Sequence, residues 1–186
     1  MSPTAITWII IGLIVLAALW AMMAYNGLVA LRQRVNQAFS DIDVQTKQRH
    51  DLVPNLVETV KGYAAHERQT FESVTNARAQ AINAQGPAQQ AQAENQITNT
   101  LKSLFAVAEA YPELRANQNF LALQEELTAT EGRIAYARQF YNDEVLKLNT
   151  RIQSFPTNVL ANMFGFHQRE YFEADDTSRG PVSVQF

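Results

Sequence analysis

The chain has 186 residues, 47% of them hydrophobic, with 15 Lys and Arg against 18 Asp and Glu for a net charge of −3. That balance supplies no global positive field for nucleic acid. The absence of cysteine excludes disulfides, thiolate metal sites and cysteine nucleophiles, and it fits either side of a membrane.

The first element is an uncharged run, Ile6 to Tyr25, dominated by Ile9, Ile10, Ile11, Leu13, Ile14, Val15, Leu16 and Leu19. At 1.5 Å per residue, about 20 apolar residues cover the roughly 30 Å hydrocarbon core of a bilayer. Trp8 and Tyr25 lie near its two ends, where amphipathic rings favour the headgroup zone. A cleaved signal peptide is the alternative, but it needs a basic leader and an apolar stretch of only about 7–15 residues. Met1 to Thr4 carries no Lys or Arg, so residues 1–25 are assigned as a transmembrane anchor. Arg32 and Arg34 follow the span and no basic side chain precedes it, which places the rest of the chain in the cytoplasm.

Past Tyr25 an amphipathic pattern continues without a break. Leu28, Leu31, Val35, Ala38 and Ile42, then Leu52, Leu56, Val60 and Tyr63, form one stripe with charge on its back. Gln85-Gly86-Pro87 marks a helix stop followed by a helix start. A further helix is predicted over residues 88–111, and Tyr111-Pro112 turns the chain. The longest stripe runs from Phe120 through Leu123, Leu127, Thr130, Ile134, Ala137, Tyr141, Val145, Leu148 and Ile152 to Phe155, in steps of three and four. Pro156 ends it, and residues 157–164 form a short helix at most. Pro54 is ambiguous, because an interior proline removes a hydrogen bond and costs about 3 kcal/mol. Either the helix continues with a kink, as the unbroken stripe suggests, or residues 51–54 reverse the chain. Reversal yields four helices of similar length. The expected fold is therefore all-α: a transmembrane helix (1–25), an antiparallel up-and-down bundle of long helices, most simply four (26–172), and a flexible tail (173–186).

Candidate chemistry is sparse. Asp43, Lys47 and Asp51 fall at i, i+4 and i+8, which reads as a salt-bridge ladder. The three histidines, His50, His66 and His167, form no metal-ligand spacing, and no phosphate-cradling glycine loop is present. No catalytic, cofactor or metal residues are assigned. Gln45, Arg49, Glu67 and Arg78 lie on the apolar stripe, and Glu131 and Arg138 flank the later one. Buried charges need partners, so these six are expected to meet as polar layers that fix register, with Arg49 paired to an acidic residue such as Glu131. A candidate interaction surface combines Leu28, Leu31, Val35 and Ile42 with Phe164, Phe166 and Phe172 of the aromatic C-terminal end.

The ordered set of residues resembles the LemA family of bacterial membrane proteins. It comprises Tyr25-Asn26-x-Leu28-Val29, Asp41-Ile42-Asp43-Val44-Gln45, Arg49-x-Asp51-Leu52-Val53-Pro54-Asn55-Leu56-Val57 and Val60-Lys61-Gly62-Tyr63. Tyr111-Pro112-x-Leu114-x-Ala116-Asn117, Arg133-Ile134-Ala135-x-Ala137-Arg138 and Phe164-Gly165-Phe166 continue it. The resemblance implies an N-terminally anchored helical bundle without an established enzymatic activity, with relatives implicated in building magnetosome membranes. It supplies no catalytic residues. The expected function is a non-enzymatic scaffold or adaptor. It would contact lipid through the N-terminal helix and a second copy or a membrane-protein partner through the bundle, with no nucleic acid and no cofactor. The alternative is a ligand-responsive module whose pocket is the Gln45, Arg49 and Glu131 layer.

Overall fold

The computed structural model describes residues 2–172. The expected tail, with its strand-like Val182–Phe186 end, lies outside the described residues. Six helices follow in order: α1 (Pro3–Lys61), α2 (Arg68–Asn83), α3 (Gly86–Glu109), α4 (Pro112–Arg115), α5 (Gln118–Gln153) and α6 (Thr157–Met163). No strand occurs among the described residues.

The first helix holds 59 residues without a break, with Pro54 inside it. Of the two readings of Pro54, continuation of the helix holds and a reversal at residues 51–54 does not; the chain turns between Gly62 and Glu67. The structure supplies the reason the proline is tolerated. Proline has no N–H, so the carbonyl four residues back, that of His50, loses its helical donor. Arg78 of α2 provides a replacement, its Nε–H donating to the His50 carbonyl at 2.7 Å. An orphaned acceptor at a buried residue is thus satisfied from a neighbouring helix.

The chain divides into two compact units, each using part of α1 and part of α5. The first unit comprises α1 up to Ala38 together with Tyr141–Arg169. Its N-terminal stretch is long and apolar enough to cross a membrane, and it is unburied by the rest of the chain. Further along, Ala24, Leu28, Val35 and Ala38 of α1 are buried, as are Tyr141, Val145, Leu148 and Ile152 of α5. The four on α5 follow in steps of four, three and four, one face of the helix. After Pro156, α6 ends in a Schellman motif: Phe166 N–H donates to the Ala161 carbonyl at 2.9 Å and Gly165 N–H to the Asn162 carbonyl at 3.4 Å. Gly165 takes φ +68° there, a conformation that disfavours a side chain. The turn buries Phe166, with the Arg32 guanidinium 5.2 Å from its ring centre. Asn149 fixes the segment that follows through two bonds to the Arg169 backbone, at 2.8 and 2.9 Å.

The second unit comprises, among the described residues, Phe39–Phe140 and Glu170–Phe172. Its core joins Val53, Leu56, Val57 and Val60 of α1 with Phe71, Val74 and Ala77 of α2. Ile97, Leu101 and Leu104 of α3, Leu114 of α4, and Phe120 and Leu127 of α5 complete it. Burial of each large side chain stabilises by about 1.5–3 kcal/mol. Only Ala84 and Gln85 separate α2 from α3, so these two run antiparallel. Asn117 caps α5, its side-chain oxygen accepting from the Asn119 and Phe120 N–H groups at 2.9 and 3.1 Å.

Candidate functional site: a buried ionic layer

The centre of the second unit is charged. Arg49 is fully buried. The guanidinium binds the Glu94 carboxylate of α3 and the Glu131 carboxylate of α5. It also donates to the Thr98 hydroxyl at 3.0 Å and to the Glu94 carbonyl at 3.3 Å. Thr98 in turn donates to Glu131 at 3.0 Å. His50, next to Arg49 on α1, holds the second oxygen of Glu94 at 2.7 Å. A carboxylate only accepts, so the imidazole presents an Nε2–H to it. Three helices are thereby locked at one level, and a slip of one turn at any of them would strand a charge in the core.

The six residues expected to form polar layers divide. Arg49 and Glu131 meet directly. Arg78 joins the layer's edge, through the His50 backbone carbonyl and no carboxylate. Gln45 lies one turn before Arg49, its side-chain oxygen buried without a hydrogen-bond partner. It lines a surface cleft of about 210 Å³ with Asp41, Val44, Arg133, Tyr136, Ala137 and Phe140. Arg138 points elsewhere, donating to Asn95 at 3.2 Å with its guanidinium 4.8 Å from the Phe172 ring centre. Glu67 stands at the N-cap of α2, eleven residues and about 16 Å of helix before Arg78. Only part of the expected set therefore converges.

Glu94 and His50 are the members that sequence reasoning left out. Glu94 carries its own signal, since it extends the α3 stripe of Ile97, Leu101 and Leu104 by one step of three. An acidic residue on an apolar stripe asks for a basic partner, and Arg49 is that partner.

The candidate interaction surface is corrected by burial. Leu28, Val35, Ile42, Phe166 and Phe172 are covered within the chain and Leu31 is half-buried, which leaves Phe164 exposed. The 36-residue α5 brings Tyr141 to Ile152 into the unit that contains Leu28 and Val35.

Electrostatics of the layer centre on Glu94. Burial pushes its carboxyl up, but the hydrogen bond from His50 and the charge and hydrogen bonds of Arg49 outweigh this and hold it below the ordinary glutamate value. An acid whose folded pKa is depressed adds stability above its unfolded pKa, about 4.3 for glutamate. That stability is lost as the pH falls through this value toward the folded one. Acid titration of the unfolding free energy is therefore expected to show a shallower slope below about pH 5 in Glu94→Gln than in the wild type. The difference should reach at most about 1.4 kcal/mol per pH unit. Equal slopes would remove Glu94 as the acid-sensitive group.

No group of three or more histidines and carboxylates able to hold a metal ion occurs among the described residues. The carboxylates that do converge are already engaged by Arg49 and His50. What the arrangement can do is fix helix register.

Fold and site together define an all-helical protein with one helix long and apolar enough to cross a membrane, knit by a buried ionic layer. The chain belongs to the LemA family, whose profile matches residues 38–186. It is 26% identical over 187 residues to magnetosome protein MamQ 2 of Paramagnetospirillum magneticum, covering 87% of this chain and 69% of that one. Magnetosome protein MamQ of Magnetospirillum gryphiswaldense is 25% identical over the same shares. Protein LemA of Metamycoplasma hominis is 24% identical over 160 residues, 86% of this chain and 73% of that one.

Proposed function

We propose that this chain is a non-enzymatic scaffold or adaptor, anchored in the bacterial inner membrane by the start of α1, with its bundle in the cytoplasm, and self-associating. The observation that carries the reading is how the second unit spends its side chains. Its buried charges are consumed in holding helices together, while Val44, Tyr136 and Phe140 remain 61%, 72% and 41% exposed around one cleft. An exposed aromatic patch with Arg133 beside it has the composition of a contact surface, because Tyr and Arg dominate binding hot spots. Tethering in a bilayer raises the local concentration of copies and favours their encounter. The relatives named for magnetosomes support a role in membrane organisation.

Mild-detergent extraction of the full-length chain tests this by size. The wild type is expected to run as an assembly, and Tyr136→Glu with Val44→Glu is expected to run as a monomer with unchanged helicity. A strictly monomeric wild type with no co-purifying protein would sink the proposal. A second reading, a ligand-responsive module, rests on the unpartnered Gln45 oxygen in the same cleft. It requires a small-molecule response that Gln45→Leu abolishes while assembly persists.

A further inference from the structure

The first unit leaves a second apolar face unaccounted for, at the junction of α5 and α6. Phe155 is 83% exposed, Val159 59%, Met163 66% and Phe164 53%. Val159 and Met163 are spaced by four within α6, which lines them along one side of it, and Phe155 stands in the turn that leads into the helix. The opposite side of α6 is spent on packing, with Thr157, Leu160 and Ala161 buried. The helix is thus amphipathic in the reverse of the usual economy, with large apolar groups facing outward.

The position of this face identifies its occupant. Phe164 packs edge-to-face on Tyr25, ring centres 4.9 Å apart, and Phe166 also packs edge-to-face on it at 5.8 Å. Tyr25 closes the most apolar stretch of α1, just before Asn26 and seven residues before Arg32, the first charged residue, where the hydrocarbon gives way to headgroups. A ring in contact with Tyr25 therefore stands at the depth of the interface, and the face that continues from it meets lipid before it meets water. Arg151, exposed one turn before Phe155, and Arg32, over Phe166, add cations at the headgroup level.

We propose that the Phe155–Phe164 face is a second membrane contact, an interfacial foot that lies in the lipid headgroup boundary of the leaflet from which α1 emerges. This rests on the anchor reading of α1 and deepens it: the chain holds the bilayer by a span and, at the other end of its longest return helix, by a seated aromatic patch. Such a foot fixes the tilt and rotation of α1 at the surface, which a single span leaves free.

The chain has no cysteine, so single-cysteine variants report unambiguously. Full-length Val159→Cys and Met163→Cys, spin-labelled and reconstituted in phosphatidylcholine vesicles, are compared for collision with oxygen, which partitions into lipid, and with a water-soluble nickel chelate. Leu16→Cys in the span and Thr128→Cys on the second unit, away from the Tyr136 cleft, are the references. The foot predicts oxygen-to-nickel ratios at residues 159 and 163 several-fold above that at 128 and approaching that at 16. Nickel exposure at 159 and 163 equal to that at 128, with Leu16→Cys still in lipid, would overturn the foot and leave the anchor standing. Low collision with both probes at 159 and 163 would also overturn it, since protein and not lipid would then cover the face. Nickel exposure at Leu16→Cys would overturn the anchor itself.

Discussion

Arg49→Ala is expected to lower the stability of the folded chain by about 3–5 kcal/mol, the cost of removing one partner from a buried pair. The weight of the loss falls on Glu94. Its side chain is wholly inaccessible and would be left charged with only His50 beside it, whereas that of Glu131 is 37% exposed and can recover water. The asymmetry makes a specific forecast for the double-mutant cycle. Arg49→Met combined with Glu94→Leu should cost far less than the sum of the two single changes, since apolar replacements of similar volume leave no stranded charge. Arg49→Met with Glu131→Leu should recover less. Denaturant unfolding of the full-length protein in micelles reads both, and additive losses in the Glu94 cycle would show that the two groups do not interact.

A comparable effect is expected in the span. Leu13→Arg and Leu16→Arg each place a cation near the middle of the apolar run, at about 2.5–3.5 kcal/mol apiece on an insertion scale. The double variant is expected to leave the membrane fraction on alkaline washing, with the helicity of the second unit retained, because that unit draws its core from Val53 onward. Protease added outside spheroplasts should spare the wild-type bundle. Retention of the double variant in the washed membranes would show that something other than this run holds the chain there.

The all-helical fold was readable because its signals are local and repeated. The α5 stripe and the Pro156 stop each follow from side-chain periodicity or backbone chemistry, and the helix occupies Gln118–Gln153. Pro54 stays ambiguous in the sequence for a reason that no local pattern carries. The hydrogen bond it removes is replaced by Arg78, from a helix that begins seven residues after α1 ends. The same holds for the ionic layer. Arg49 was conspicuous on its stripe, and Glu131 was a sound partner, but Glu94 is the more deeply buried of the two carboxylates and went unremarked among the glutamines of α3. Its position one step before Ile97 was the available signal. Covering of Leu28 and Val35 was missed because it depends on how far α5 returns along α1, a property of length and turn geometry and not of the stripe itself.

The scaffold reading is tested most directly where the assembly would form, in membranes that have not been extracted. Tyr136→Cys in the otherwise cysteine-free chain, treated with a short bis-maleimide, is expected to give a crosslinked dimer of twice 20.9 kDa. Thr128→Cys, on an exposed stretch of α5 away from the cleft, should not. Monomer at both positions, with the maleimides shown to have reacted, would contradict self-association through this surface.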